Sequence, residues 1–192
     1  MMKVFTTFLL TLCIFSLCFA DTPQDNSIEV VVEQSGETIN ITTNSYVLAT
    51  PQETWAVLTD YAHMAEFLPN LQSSQIISAP GESLRVEQKG TTRFGLLHFS
   101  FESVRQVDIK PYDTIESHAV SGNMRKLDGT TQLTQEGAGT HIQYKAVAIP
   151  DFWMPPLIGK TFIKSQLEEQ FQGMIKEILR RKMAANGGVS EH

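Results

Sequence analysis

The feature that most constrains the fold is one long amphipathic helix near the C-terminal end. Its pattern begins at Pro155-Pro156 and runs to about Met183, with apolar residues recurring at steps of three and four. The apolar stripe comprises Leu157, Ile158, Phe162, Ile163, Leu167, Phe171, Met174, Ile175, Ile178 and Leu179. A helix of roughly 28 residues spans about 40 Å at ~1.5 Å per residue. An apolar stripe of that length must be shielded from water by another element of similar length. A curved antiparallel sheet can do this and can leave a cavity between helix and sheet.

Short strand patterns fill most of the chain before this helix. A first strand at 28–34 has a β-rich return at 38–49, and six further strand patterns lie between residues 73 and 149, separated by turns rich in glycine or proline. In the strand at 96–109, apolar side chains alternate with polar ones, so one sheet face is predicted to be apolar and the other solvated. We predict an α+β fold, with a curved antiparallel sheet of about seven strands wrapped on the long helix.

Two short helices are predicted after the first strand. Thr50 can cap the first of them, Pro51 fits the first helical position, and Glu53 completes a capping box. The second short helix contains His63, Met64, Phe67 and Leu68 and ends at Pro69-Asn70.

The N-terminal segment predicts export. Met1-Met2-Lys3 is a positive start, an apolar run follows to Phe19, and small residues precede Asp21, so residues 1–20 are interpreted as a signal peptide. The expected destination is the periplasm, with the extracellular space as the alternative. Residues 21–27 are expected to be a polar lead-in, 28–183 the folded domain and 184–192 a disordered tail. Both cysteines, Cys13 and Cys18, lie in the leader, so the exported chain is expected to hold its fold without disulfides.

The charge balance argues against two classes of partner. The chain has a formal net charge of −6, and its longest basic run is Arg180-Arg181-Lys182. Nucleic acids and anionic membrane surfaces attract extended basic patches, so neither is an expected partner. Beyond the leader, no second apolar segment is long enough to span a bilayer.

Catalytic and metal-binding signatures are weak. The sequence has no HExxH, GxSxG, GxGxxG or Walker pattern, and its histidines have no metal-ligand spacing, so no metal and no cofactor are expected. Glu116 and His118 stand two residues apart on one strand face and can form an acid/base pair, although the pattern favours a solvated strand face. Tyr144 is the third weak catalytic candidate.

The chain resembles the START-like helix-grip superfamily, in its polyketide cyclase/dehydrase and coenzyme Q-binding protein branch. The resemblance rests on segments 49–77, 94–111, 139–150 and 155–181, and the first of these contains Trp-x-x-Leu-x-Asp-Tyr followed by Phe-Leu-Pro. It covers about residues 28–183 and implies a helix-grip fold that encloses a hollow. Thr131 departs from the pattern, because many relatives have an aromatic residue in the penultimate strand.

The resemblance and the aromatic residues together predict a ligand cavity. Its expected lining is Trp55, Phe67, Leu68, Phe94, Phe99, Phe101, Tyr144, Trp153, Met154, Leu157, Ile158, Phe162 and Gln166. Tyr144, Arg93 or Gln166 can orient a polar headgroup. Residues 61–70 and 151–158 are expected to form a lid.

Three functions are consistent with these patterns. The first is an exported, monomeric binding or transport protein for a lipid or other hydrophobic small molecule, with a quinone, an isoprenoid or an acyl chain all admissible. The second is a cyclase/dehydrase-like enzyme acting on an aromatic or polyketide-like substrate. The third is a protein-interaction module, which a filled core would favour.

Overall fold

The computed structural model describes residues 27–79, 83–94, 97–151 and 156–187. Within these ranges, eight antiparallel strands form one open sheet in the order β1-β2-β8-β7-β6-β5-β4-β3. The strands are β1 (Ile28–Ser35), β2 (Thr38–Val47), β3 (Leu71–Ser78), β4 (Ser83–Phe94), β5 (Leu97–Lys110), β6 (Thr114–Gly122), β7 (Met124–Glu136) and β8 (Gly139–Pro150). The α+β helix-grip architecture predicted from the sequence is confirmed.

The first hairpin accounts for the difference between about seven predicted strands and eight. Residues 38–47 pair with β1 on one side and with β8 on the other, so the β-rich return is a full strand. The short helices therefore follow the second strand. The turn that joins β1 to β2 places Gly36 at φ 59°, a left-handed conformation that glycine adopts without a steric penalty.

Two short helices follow β2. Helix α1 (Pro51–Leu58) begins with the predicted capping box: the Glu53 amide donates to Thr50 Oγ1 (3.2 Å), and the Thr50 amide donates to Glu53 Oε2 (2.7 Å). Helix α2 (Met64–Phe67) is a single turn without a side-chain cap. Asn70 follows it at φ 66° and turns the chain into β3.

Helix α3 (Pro156–Gly187) lies across the inner face of the sheet. It extends four residues beyond the predicted end at Met183, because Ala184 and Ala185 favour helix although the apolar stripe has ended. None of the helices in the described ranges is both long and apolar enough to cross a membrane.

The inner face of the sheet holds two apolar clusters. The larger one joins α1 and the C-terminal half of α3 to the sheet through residues that include Val57, Val86, Val107, Ile142, Phe171 and Ile178. The smaller one comprises Ile39, Ile41, Ala146 and Ala148, with Ile163 and Leu167 of α3 packed against it. Tyr144 contacts both clusters, so it lies where they meet.

Candidate ligand-binding interior

Polar side chains interrupt the apolar inner face on strands β4 and β5. Residues 86, 88, 90 and 92 of β4 are all buried, which shows that this set of alternate positions faces the interior. Arg105 pairs with Val86 across the β4–β5 ladder, so its side chain leaves the sheet on the same inner side. A charged residue thus stands among inward-facing positions.

The Arg105 guanidinium is tied to the sheet by a chain of amide and hydroxyl groups. Its Nη2 donates to Gln88 Oε1, and Gln88 Nε2 in turn donates to Ser74 Oγ (3.1 Å) and contacts Met64 Sδ (3.4 Å). Gln88 is 8% exposed, so this chain of bonds lies inside the molecule. The bond to Gln88 fixes one edge of the Arg105 guanidinium and so sets the orientation of the whole planar group.

Arg105 has no counter-ion within the described part of the chain. No carboxylate lies within 4.0 Å of its guanidinium, and its Nε is buried without a hydrogen-bond partner. Burying an unpaired cation or donor is unfavourable, because the group gives up its water without gaining a replacement. The interior therefore contains a positive charge and a free N–H donor that are ready for an acceptor.

Two tyrosines accompany this charge. Burial raises the pKa of the Tyr61 and Tyr144 phenols, and the positive charge of Arg105 partly opposes that rise in both. Both phenols are therefore neutral near pH 7 and can donate a hydrogen bond. We call Tyr61, Ser74, Gln88, Arg105 and Tyr144 the polar centre.

Tyr144 is positioned by small and aromatic neighbours. A Cβ added at Gly129 would lie 3.1 Å from the Tyr144 hydroxyl, so the absence of a side chain at Gly129 makes room for the phenol. On the helix side, the Tyr144 ring packs at a tilt against Phe171, with 6.2 Å between ring centroids. The adjacent strand adds Thr43, whose buried hydroxyl has no hydrogen-bond partner.

Gln166 fastens helix α3 to the sheet. Its Oε1 accepts from Thr92 Oγ1 (2.6 Å) and from Asn70 Nδ2 (3.1 Å). The same Asn70 amide also donates to Glu169 Oε2 (3.2 Å). The predicted headgroup-orienting residue thus already serves as a junction between α3, β4 and the turn after α2.

The structure separates the three catalytic candidates. Glu116 and His118 lie on the outer face of β6, where they pair with Lys110 (4.0 Å) and Asp128 (3.1 Å). Tyr144 is the only one of the three that faces the interior. Within the described ranges, no group of three or more acidic, histidine or cysteine residues is arranged to hold a metal.

The predicted lining residues divide into three groups. Phe101 and Phe162 face the interior, and Phe67 and Leu68 pack partly buried against the larger cluster. Trp55 is buried on α1, where its ring meets Tyr112 edge-on at 5.9 Å, as expected of core packing. Trp153 and Met154 lie outside the described residues, and Phe94, Phe99, Leu157 and Ile158 are described only in their backbone.

One pocket in the described part of the chain lies along strands β3, β4 and β5. This pocket of about 410 Å³ is lined mostly by outward-facing positions, namely Gln72, Lys89, Gly90, Thr91, Ser100, Phe101, Glu102, Gly122 and Asn123. Its charged groups already pair with each other, because Lys89 binds both Glu87 (3.3 Å) and Glu102 (3.0 Å). It offers a ligand no free charge.

Sequence reasoning did not single out Arg105, Gln88 or Tyr61. The signal for Arg105 was present, because it shares alternation with Phe101 and Val107 on the strand face that was predicted to be apolar. A lone cation on such a face marks either a bulge or an inward charge. The shift of register between Val104 and Arg105 in the pairing with β6 shows that this strand has a bulge as well.

The family model described as "Polyketide cyclase / dehydrase and lipid transport" matches residues 47–175. The chain belongs to this family. The match begins at the end of β2 and therefore leaves the β1 strand and most of β2 outside it. A comparison with curated protein sequences finds no match.

Solved structures show the same fold at low sequence identity. The Zhui aromatase/cyclase from Streptomyces sp. R1128 is 13% identical with a TM-score of 0.66, over 77% of this chain and 98% of that one. A START superfamily protein from Mycobacterium smegmatis is 12% identical (TM-score 0.64, 73% and 97%). A STAR-related lipid transfer protein from Xanthomonas axonopodis is 12% identical (TM-score 0.64, 79% and 93%). The family is described by polyketide cyclisation, dehydration and lipid transport, and these structures share this chain's fold.

Proposed function

We propose that this protein binds and carries a hydrophobic small molecule or lipid that bears an oxygen-containing head. The ligand is held between helix α3 and the inner face of the sheet. The observation that supports this most strongly is Arg105, an inward cation without a carboxylate partner among the described residues, next to two apolar clusters. A head with a carbonyl, carboxylate or phosphate oxygen supplies the missing acceptor.

Burial of the ligand's apolar surface drives binding, and no covalent bond is made or broken. Each buried methylene contributes about 0.8 kcal/mol, so a ten-carbon tail gains roughly 8 kcal/mol before ordering and association costs. The head adds specificity, because a ligand without an acceptor leaves the Arg105 donor unpaired. Acyl chains, isoprenoids and quinones all meet both requirements when they bear an oxygen at one end.

We propose that this activity takes place outside the cytoplasm, on the basis of the predicted leader. In our proposal the protein is exported, acts as a monomer in the periplasm or the extracellular space, and moves its ligand through water. The family's link to lipid transport supports a hydrophobic cargo.

Native mass spectrometry of the chain from residue 21 tests the proposal. The protein is incubated with decanoic acid, palmitic acid, a short-chain ubiquinone and farnesol, and the bound mass is recorded. We expect a one-to-one complex with at least one of them. Failure of all four to bind, together with no co-purified hydrophobic molecule, contradicts the proposal.

A matched pair of variants locates the head. Arg105→Met keeps a long side chain but removes the inward cation, and we expect it to weaken binding of a fatty acid about tenfold or more. Arg85→Met is the control, because Arg85 is an exposed residue at a non-inward position of β4. Equal loss in both variants would refute a specific role for Arg105.

A cyclase/dehydrase-like enzyme is the second candidate, and the polar centre favours it. Arg105 can polarise a substrate carbonyl, and the neutral phenol of Tyr144 can donate a proton or a hydrogen bond to the developing oxyanion. Incubation with an aromatic polyketide precursor, followed by chromatography, tests for turnover. If Tyr144→Phe abolishes product formation while binding persists, the protein is an enzyme rather than a carrier.

A further inference from the structure

We infer that residues 60–70 form a lid over the polar centre and that Arg181 of helix α3 is its latch. This inference rests on the proposed binding function, since a lid needs a ligand to admit. The name "lid" is used below for residues 60–70, which run from the end of α1 through α2 to Asn70.

The lid covers the polar centre directly. Tyr61 and Met64 belong to the lid, and they are 4% and 6% exposed. Met64 Sδ contacts the amide of Gln88, and the Tyr61 phenol lies near enough to Arg105 to feel its charge. Lifting the lid therefore uncovers Gln88, which holds the inward cation, and carries Tyr61 away from it.

The lid has little secondary structure of its own. Its helix α2 is a single turn without a side-chain cap, and four of its eleven residues are exposed. It rests on α3 at Gly173, where a Cβ would lie only 2.9 Å from the Phe67 carbonyl oxygen. At this point the lid packs against the helix through the Phe67 carbonyl and through the side chains of Pro69 and Leu68, which would lie 3.1 Å and 3.6 Å from the same Cβ.

Arg181 holds the lid at its N-terminal end. Its Nη2 donates to Asp60 Oδ2 (2.8 Å), and its guanidinium lies over the Phe67 ring, 5.7 Å from the centroid. Its Nε donates to Glu177 Oε1 (2.7 Å), and Glu177 is 8% exposed, so the arginine is itself fixed by a partly buried carboxylate. Arg181 thus contacts both Asp60 at the start of the lid and Phe67 in its middle.

Asn70 anchors the C-terminal end of the lid. Its side chain binds Gln166 and Glu169 of α3, and its carbonyl oxygen accepts from the Thr91 amide of β4 (3.0 Å). Its left-handed φ lets the chain reverse there. The N-terminal end also stays joined to α1, because the Asp60 amide donates to the Val57 carbonyl oxygen (3.2 Å). Loss of the Arg181 bonds therefore loosens the segment between these two anchored ends.

Arg181→Gln is the test, and Arg180→Gln is its matched control. Arg180 neighbours Arg181 and binds the same Glu177 (2.7 Å), and its described link to the lid is a charge attraction to Glu66 without a hydrogen bond. Stopped-flow mixing with a dansyl-labelled fatty acid gives the association and dissociation rates. We expect Arg181→Gln to raise both rates 3- to 10-fold while the dissociation constant changes less than twofold, and Arg180→Gln to alter neither.

Hydrogen–deuterium exchange of the ligand-free protein separates the lid from the binding function. Amides at residues 61–68 should exchange faster in Arg181→Gln than in Arg180→Gln, even if no probe binds. Asp60→Asn provides a second variant, because it weakens the latch and leaves the Arg181–Glu177 pair intact. If the lid exchanges alike in all three variants, or if the rates change equally in both arginine variants, the latch is overturned.

Discussion

Two regions of the interior lie on the same face of the sheet, where every second residue points inward. One region has apolar side chains, and the other has polar and charged ones. The apolar end consists of Ile39 and Ile41 on β2 and Ala146 and Ala148 on β8, all tightly buried. The polar centre presents an amide on β4 and a cation on β5 instead, Gln88 and Arg105. Alternation decides which way a side chain points, whereas residue type decides whether that position stabilises the fold or serves a ligand.

This difference has a thermodynamic meaning. Apolar groups at the first end gain free energy simply by leaving water. The Arg105 charge and the unpartnered Thr43 hydroxyl lose hydration without full compensation. Positions that break the local rules of a stable core are expected at functional sites. The comparison can be tested by truncating each region and measuring stability.

The largest effect is expected at the apolar end. Ile39 is 2% exposed, and Ile39→Ala removes buried methyl and methylene groups and leaves a cavity. We expect a loss of about 2–4 kcal/mol of unfolding free energy, measured by urea denaturation. Val31→Ala, at an outer position of β1 that is 43% exposed, is the control and should cost less than about 1 kcal/mol. Similar losses in both variants would contradict the assignment of this end as core.

An intermediate effect is expected where α3 meets the lid. Hydrogen bonds from Arg180 and Arg181 outweigh partial burial and lower the pKa of Glu177 from 4.5 to about 2. Its contribution to stability is therefore complete above pH 4.5 and is lost as the pH falls towards 2. Between pH 5 and 3, the wild type should lose about 1 kcal/mol more than Glu177→Gln. Parallel pH profiles of denaturation midpoint for the two proteins would refute this.

The smallest effect on stability is expected at the polar centre itself. Arg105→Met removes a poorly compensated charge, and Gln88 keeps its bonds to Ser74 and Met64. We expect unfolding free energy to stay the same or rise by up to about 1 kcal/mol, even though fatty-acid binding weakens. Urea denaturation of the ligand-free protein measures this, and a loss above about 1 kcal/mol would show that Arg105 is structural.

The local features of the fold were readable from the sequence. The capping box at Thr50, the alternation along β5 and β8, and the stripe of α3 all depend on neighbours within a few residues. The same periodicity placed Glu116 and His118 on a solvated face as one of two readings, and the structure places them there.

The long-range features were not readable. The pairing of Asp60 with Arg181 joins residues that lie 121 positions apart, and no local pattern encodes such a contact. Gln166 was predicted to orient a ligand head, but its partners Thr92 and Asn70 come from distant elements. Alternation predicts that Arg105 points inward, but it does not show whether a cation there has a carboxylate partner.

The close approach of Asn70 to Gly90 limits how the proposed binding site can diverge. A methyl group at Gly90 would collide with the Asn70 carbonyl oxygen and the Phe101 ring, both of which are fixed by the surrounding sheet. Natural variation or laboratory evolution towards a bulkier cargo must therefore leave this corner alone. Under the proposed binding function, a change of cargo is expected to use inward positions other than residue 90.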